Sequence, residues 1–92
     1  MEKAIQIIVS GKVQGVFFRK YTCQKARELD LKGFVANQAD SSVKIIAQGD
    51  KMKLNDLVEW CYRGSPNSII EKVEVIELAT MHQYNNFEIH YL

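Results

Sequence analysis

The stretch Ser10-Gly11-Lys12-Val13-Gln14-Gly15-Val16-Phe17-Phe18-Arg19 concentrates residue types able to hold an anion. Gly11 and Gly15 free the main chain to curl so that several amides converge on one point, and a helix starting just beyond adds the partial positive charge of its amino end. Arg19 contributes a planar fork of donors suited to two phosphate oxygens. The segment is not a nucleoside triphosphate loop of the Gly-x-x-x-x-Gly-Lys-Ser/Thr type, because Val16 rather than lysine follows Gly15. Spacing alone leaves two readings open: an anion site, or an ordinary glycine-rich turn with Arg19 in a surface ion pair.

The elements that must position these residues are legible as hydrophobic periods. Ile5, Ile7 and Val9 alternate with Gln6, Ile8 and Ser10, which predicts a strand with one face well buried. Phe18, Thr22, Ala26 and Leu29 fall on one helical stripe, predicting about three turns of helix from about Lys20. Gly33 ends that pattern. Phe34 to Asn37 and Val43 to Gln48 read as a hairpin of strands joined across Ala39 to Ser42. Asp50 is a good N-cap for a second helix, whose stripe is Leu54, Leu57, Val58 and Cys61, and Gly64 with Pro66 marks its end. Ile69 to Leu78 and Phe87, Ile89 and Tyr91 give two further strands, with a polar turn at Gln83 to Asn86. The order βαββαβ plus a short last strand predicts an α+β, ferredoxin-like two-layer sandwich. Both helices then cover one face of a mostly antiparallel sheet. At 92 residues the chain has material for one core, so a single domain over 1–92 is expected.

Composition removes other classes. The net charge is +1, too small for a protein that grips long nucleic acid. Its distribution is uneven: residues 1–32 hold seven Lys or Arg against three acids, and residues 33–92 hold five against eight, which favours the amino-terminal third for an anion. No apolar run approaches the ~20 residues of a membrane span. The first residues lack a secretory pattern, so a cytoplasmic setting with reduced thiols is expected. Cys23 and Cys61 have no metal-ligand spacing and sit on or beside the helical stripes, so packing is their expected role. Lys32-Gly33-Phe34 starts like an RNA-recognition strand, but Val35-Ala36-Asn37 lacks the aromatic pair that would stack bases. His82 and His90 are expected at the surface.

Gly11-Lys12-Val13-Gln14-Gly15-Val16-Phe17-Phe18-Arg19 resembles the first signature of the acylphosphatases. Gly33-Phe34-Val35-Ala36-Asn37, followed by Val43 and Gly49, resembles the second, and the likeness continues in Trp60 and Gly64-Ser65-Pro66. The resemblance implies a small enzyme that needs no metal or other cofactor and hydrolyses acyl phosphates to a carboxylate and inorganic phosphate. It implies a phosphate-binding arginine at Arg19, a backbone cradle over Gln14, Gly15, Val16, Phe17 and Phe18, and a water-positioning asparagine at Asn37. The partner is then a small acyl phosphate, the product inorganic phosphate, with no nucleic acid or membrane involved, and a monomer is expected.

The residues suit that chemistry. A carboxylate leaving group, whose acid has a pKa of about 4, departs at neutral pH without a general acid. Phosphoryl transfer through a loose transition state then asks chiefly for positioning and electrostatics. Asn37 can orient water through its carboxamide but is a negligible base. The end of the first strand and Asn37 are expected on neighbouring strands about 4.8 Å apart. Three positions depart from the family pattern: Ala36, expected to tune substrate approach, and Asp30 and Ser41, which stand where glycine is usual. A second reading is a non-catalytic module that keeps the anion loop and binds a phosphorylated partner, and the presence of both Arg19 and Asn37 favours the enzyme.

Overall fold

Alternation along β1 (Glu2–Lys12) buries Ile5, Ile7 and Val9 on one face, and the other elements assemble against that face in the computed structural model, which describes residues 1–91. They are α1 (Phe18–Glu28), β2 (Lys32–Asn37), β3 (Val43–Asp50), α2 (Lys51–Arg63), β4 (Ile69–Glu77) and β5 (Phe87–His90). The five strands form one sheet in the order β4-β1-β3-β2-β5. Every neighbouring pair is antiparallel except β2 with β5. Both helices pack on the face that carries Ile7, Val35, Val43 and Ile45, α1 over β2 and β5, and α2 over β4, β3 and β1. The α+β ferredoxin-like sandwich expected from the element order is the observed fold. No helix among the described residues is long and apolar enough to cross a membrane.

The stripes pack as their spacing requires. Phe18, Thr22 and Ala26 are buried on α1, and the Thr22 hydroxyl meets its hydrogen-bonding need by donating to the Phe18 carbonyl one turn back, at 2.8 Å. Leu54, Leu57 and Cys61 are buried on α2, and the Phe18 ring rests against Trp60 with centroids 5.3 Å apart. Cys61 is sealed in the core, and burial pushes its thiol pKa up to about 12. Burial also raises Cys23, whose Sγ donates to the Phe87 carbonyl. Both shifts disfavour the thiolate, the nucleophilic form of cysteine.

Two departures from glycine carry a conformational load. Asp30 has φ 58° and ends α1 in a Schellman arrangement, with Leu31 N donating to Ala26 O at 2.9 Å and Asp30 N to Arg27 O at 3.1 Å. Ser41, at φ 78°, sits in the β2–β3 turn, where Gln38 N donates to Ser42 O at 2.8 Å. Asp40 braces this turn by accepting from the Ser42 amide and hydroxyl, and the hydroxyl bond foremost holds its carboxyl below the usual range. Because the left-handed region strains a side chain that glycine lacks, Ser41→Gly should stabilise the fold by about 0.5–1 kcal/mol and raise Tm by several degrees. Calorimetric Tm is the check, and an unchanged value contradicts the strain.

The route from β4 to β5 differs from the short polar turn expected at Gln83 to Asn86. The two strands lie at opposite edges, so residues 78–86 must travel the width of the sheet. The segment is tied to the sheet by Gln48, which donates to the His82 carbonyl at 2.6 Å and accepts from its amide at 2.7 Å. Ala36 also departs from expectation. It is fully buried and alternates with Asn37, so its side chain lies on the opposite face of the sheet from Asn37 and is not among the residues that line the cleft described below.

Candidate active site

Strand direction creates the site. β1 and β2 are each antiparallel to β3, and β5 is parallel to β2, so β1, β2 and β5 all deliver their carboxyl ends to one rim of the sheet. The loop after β1 leaves from that rim, Asn37 ends β2 there, and Tyr91 follows β5 one step past the Ala36–His90 pairing. The neighbouring-strand geometry expected for β1 and Asn37 is corrected by the sheet order. Val9 and Asn37 pair with Val43 from opposite sides, so β3 separates them and the span is two strand spacings, about 10 Å. The loop itself makes up the difference, passing the end of β3 so that α1 starts over β2 and β5.

Its backbone has the alternating form of a nest. Gly15 has φ 75° and Phe17 φ 59°, so left-handed residues alternate with ordinary ones, the pattern that turns successive N–H groups toward a common centre. Among the described residues, the amides of residues 14–17 donate to no backbone carbonyl. The left-handed region is uncommon for a bulky side chain and costs about 1–3 kcal/mol at Phe17, a strain of the kind found where structure serves function. The amino end of α1 is open as well: it has no side-chain cap and no acid in its first turn, whereas Asp50 caps α2 by accepting from Met52 N and Lys53 N.

The loop is held from both flanks. The Gln14 side chain turns away from the nest and donates through Nε2 to the carbonyls of Gln38 and Ser42, each at 2.9 Å, fastening the loop to the β2–β3 turn. On the other flank, the buried Ser65 hydroxyl donates to the Val16 carbonyl at 2.9 Å. Gln14→Ala leaves two carbonyls without this donor and should lower stability by about 1–3 kcal/mol. It should also weaken phosphate binding. Urea unfolding with a phosphate titration measures both effects, and a variant matching the wild type in both would show that the clamp is idle.

Gly15, Phe17, Phe18, Arg19 and Asn37 line one cleft of about 500 Å³, with Val13, Lys20, Ile89 and Tyr91 completing its walls. Of the residues expected in the backbone cradle, Gln14 and Val16 are not among those that line the cleft, the Gln14 side chain serving as the clamp and Val16 being buried with its carbonyl on Ser65, while their amides donate to no backbone carbonyl among the described residues. The Arg19 guanidinium lies over the Tyr91 ring, 5.0 Å from its centroid, and among the described residues no carboxylate is in salt-bridge range of it. The surface-ion-pair reading of Arg19 therefore finds no partner there. Asn37 presents a buried Oδ1 without any hydrogen-bond partner, a costly condition for a polar atom unless something else meets it. Among the described residues no group of three His, Cys, Asp or Glu is arranged to hold a metal ion. The sequence pointed to the loop, Arg19 and Asn37. It gave no sign of the left-handed Phe17 or the Gln14 clamp, and Tyr91 showed only as one member of an alternating strand.

Comparison with known proteins agrees with this geometry. The family model described as Acylphosphatase matches residues 5–89. A curated acylphosphatase of Marinobacter nauticus is 43% identical over 81 residues, covering 88% of each chain. Among solved structures, the acylphosphatase from Bacillus subtilis superposes with a TM-score of 0.94 at 36% identity, covering 99% of this chain and 100% of that one. An acylphosphatase from Coxiella burnetii gives 0.92 at 37% identity, covering 97% and 93%. A match of this extent leaves no large part of the fold unaccounted for, and the chain belongs to the acylphosphatase family of enzymes.

Proposed function

We propose that the cleft binds the phosphoryl group of a carboxyl phosphate, with the amides of Gln14 to Phe18 and the Arg19 guanidinium as its ligands and the Asn37 carboxamide aiming the attacking water. The observation that carries this reading is the buried, unpartnered Asn37 Oδ1 on the same cleft as Arg19 and the curled loop. Oδ1 accepts a hydrogen bond from the water, which holds the water's oxygen on the side of phosphorus opposite the acyl oxygen. As the water's oxygen bonds to phosphorus, the bond to the acyl oxygen breaks and its electron pair leaves on the carboxylate. The water's proton passes to a phosphate oxygen, giving inorganic phosphate. The charge spread over the equatorial oxygens is met by Arg19 and the fixed amides, which is the main form of catalysis open to a site with no general base.

The cleft is complete within one chain, so the reaction needs no second copy, and the monomer suffices as the working unit. The chain acts as one domain, because among the described residues both helices share one core with the sheet. Two unpaired, buried cysteines suit a reducing cytoplasm. A role in RNA reading is disfavoured because Phe34 is already stacked on His90, at 4.4 Å between centroids, with Tyr84 against its edge.

The test is incubation with benzoyl phosphate and acetyl phosphate in the presence of a chelator. Hydrolysis is expected to proceed at the chelator-free rate and to be inhibited competitively by inorganic phosphate. Saturable phosphate binding without turnover would mark the non-catalytic module instead.

A further inference from the structure

The peptide between Val16 and Phe17 is turned out of helical register. The Phe17 carbonyl accepts from Tyr21 N at 3.1 Å, the first bond of α1, but among the described residues no backbone amide donates to the Val16 carbonyl one residue earlier. Its partner is the hydroxyl of Ser65, 2.9 Å away and 49 residues on in the chain. Ser65 is 3% exposed, and the turn after α2 fixes its place. Ser68 donates to the Ser65 carbonyl through its amide at 3.0 Å and its hydroxyl at 2.7 Å, and Gly64 N donates to Trp60 O at 2.8 Å. Because a trans peptide is planar, its C=O and N–H point in opposite directions. A carbonyl held toward Ser65, which does not line the cleft, therefore turns the N–H the other way at Phe17, which does. That N–H donates to no backbone carbonyl among the described residues.

We propose that Ser65 is a positioning residue of the anion site: its hydroxyl sets the plane of the 16–17 peptide and so presents the Phe17 N–H to a bound phosphoryl group. The role rests on reading the cleft as a phosphoryl site. Ser65 touches no substrate itself. Without its hydroxyl, the buried Val16 carbonyl lacks a donor, and the peptide gains by rotating toward another partner, which carries the Phe17 N–H off the phosphate. Accepting from Ser65 also polarises the peptide, which strengthens donation at its other end. The turn after α2, remote from the loop in sequence, is thereby coupled to anion affinity through one hydrogen bond.

The experiment titrates inorganic phosphate into the whole chain and follows each backbone amide by nuclear magnetic resonance, at a temperature where every variant is folded. In the wild type, phosphate should move the Phe17 amide proton downfield, the mark of a charge-assisted hydrogen bond. Ser65→Ala should weaken phosphate binding about tenfold and diminish that displacement. Ser65→Cys keeps the shape but offers only a weak donor, so it should act in the same direction and serves if the alanine variant does not fold. Ser68→Ala controls for a loosened turn. Its amide still donates to the Ser65 carbonyl, so stability should fall while phosphate affinity stays within about twofold. The positioning role is overturned by a Phe17 amide that stays still while those of Gly15 or Phe18 respond, by unchanged affinity or an undiminished Phe17 displacement in the Ser65 variants, or by an equal loss in Ser68→Ala. No response from any amide over 14–18 overturns the phosphoryl-site reading along with it. If the Ser65 effects are found but benzoyl phosphate is not hydrolysed, the positioning role stands and the hydrolase reading fails.

Discussion

Arg19→Ala is expected to lower kcat/KM for benzoyl phosphate by about 10³–10⁵, the range by which a transition-state arginine accelerates phosphoryl transfer. Inhibition by inorganic phosphate should disappear with it. Two features of the site make the effect this large. Arg19 lines the cleft beside the nest, and its guanidinium, the planar fork at the site, is held on the Tyr91 ring rather than spent on a carboxylate among the described residues. The loop amides and Lys20 remain in the variant, but neither supplies two parallel charged donors to a doubly charged group. Arg19→Lys should recover little, because an ammonium supplies a point charge where the fork supplies two parallel donors. The measurements are steady-state kinetics and a phosphate titration. A loss below tenfold, or undiminished phosphate inhibition, removes Arg19 from the site.

Asn37→Ala should separate chemistry from binding. A drop in kcat of about 10²–10³ is expected, the size seen when one preorganised hydrogen-bonding group of a transition state is lost, while the phosphate dissociation constant stays within about twofold. The reason lies in what the carboxamide touches. Asn37 ends β2 between β3 and β5, and its Oδ1 meets no donor among the described residues, which leaves it free for the proposed water. Stability should change little or rise, since the substitution removes a buried acceptor that lacks a partner. Near-normal kcat would exclude the water-positioning role. A parallel loss of phosphate affinity would make Asn37 a phosphate ligand instead.

The elements were legible because their signals are local. A period of two with β-branched residues makes β1, a period near 3.6 makes α1 and α2, and Asp50 and Gly64 bound α2 through capping chemistry that any isolated helix would share. The chemistry of the loop was legible for the same reason, since glycine spacing and a guanidinium are properties of ten consecutive residues. Arg19 and Asn37 could be nominated, but nothing local shows that they meet.

Strand order settled that, and strand order is a global matter. The sequence pattern is compatible with β1 beside β2. The fold instead inserts β3 between them and sends residues 78–86 across the sheet to β5, which brings three carboxyl ends to one rim. Gln14 could be assigned to the cradle by position, yet its side chain became a clamp because the β2–β3 turn offers two carbonyls that no nearby residue in the chain could supply. Phe17 looked like one more apolar residue, and only the nest forces it left-handed and outward. Local propensity and period choose the elements because each residue's dihedral and burial preferences act within a turn or two. The contacts that build the cleft join residues far apart in the chain, and their free energy exists only once the whole sheet has closed.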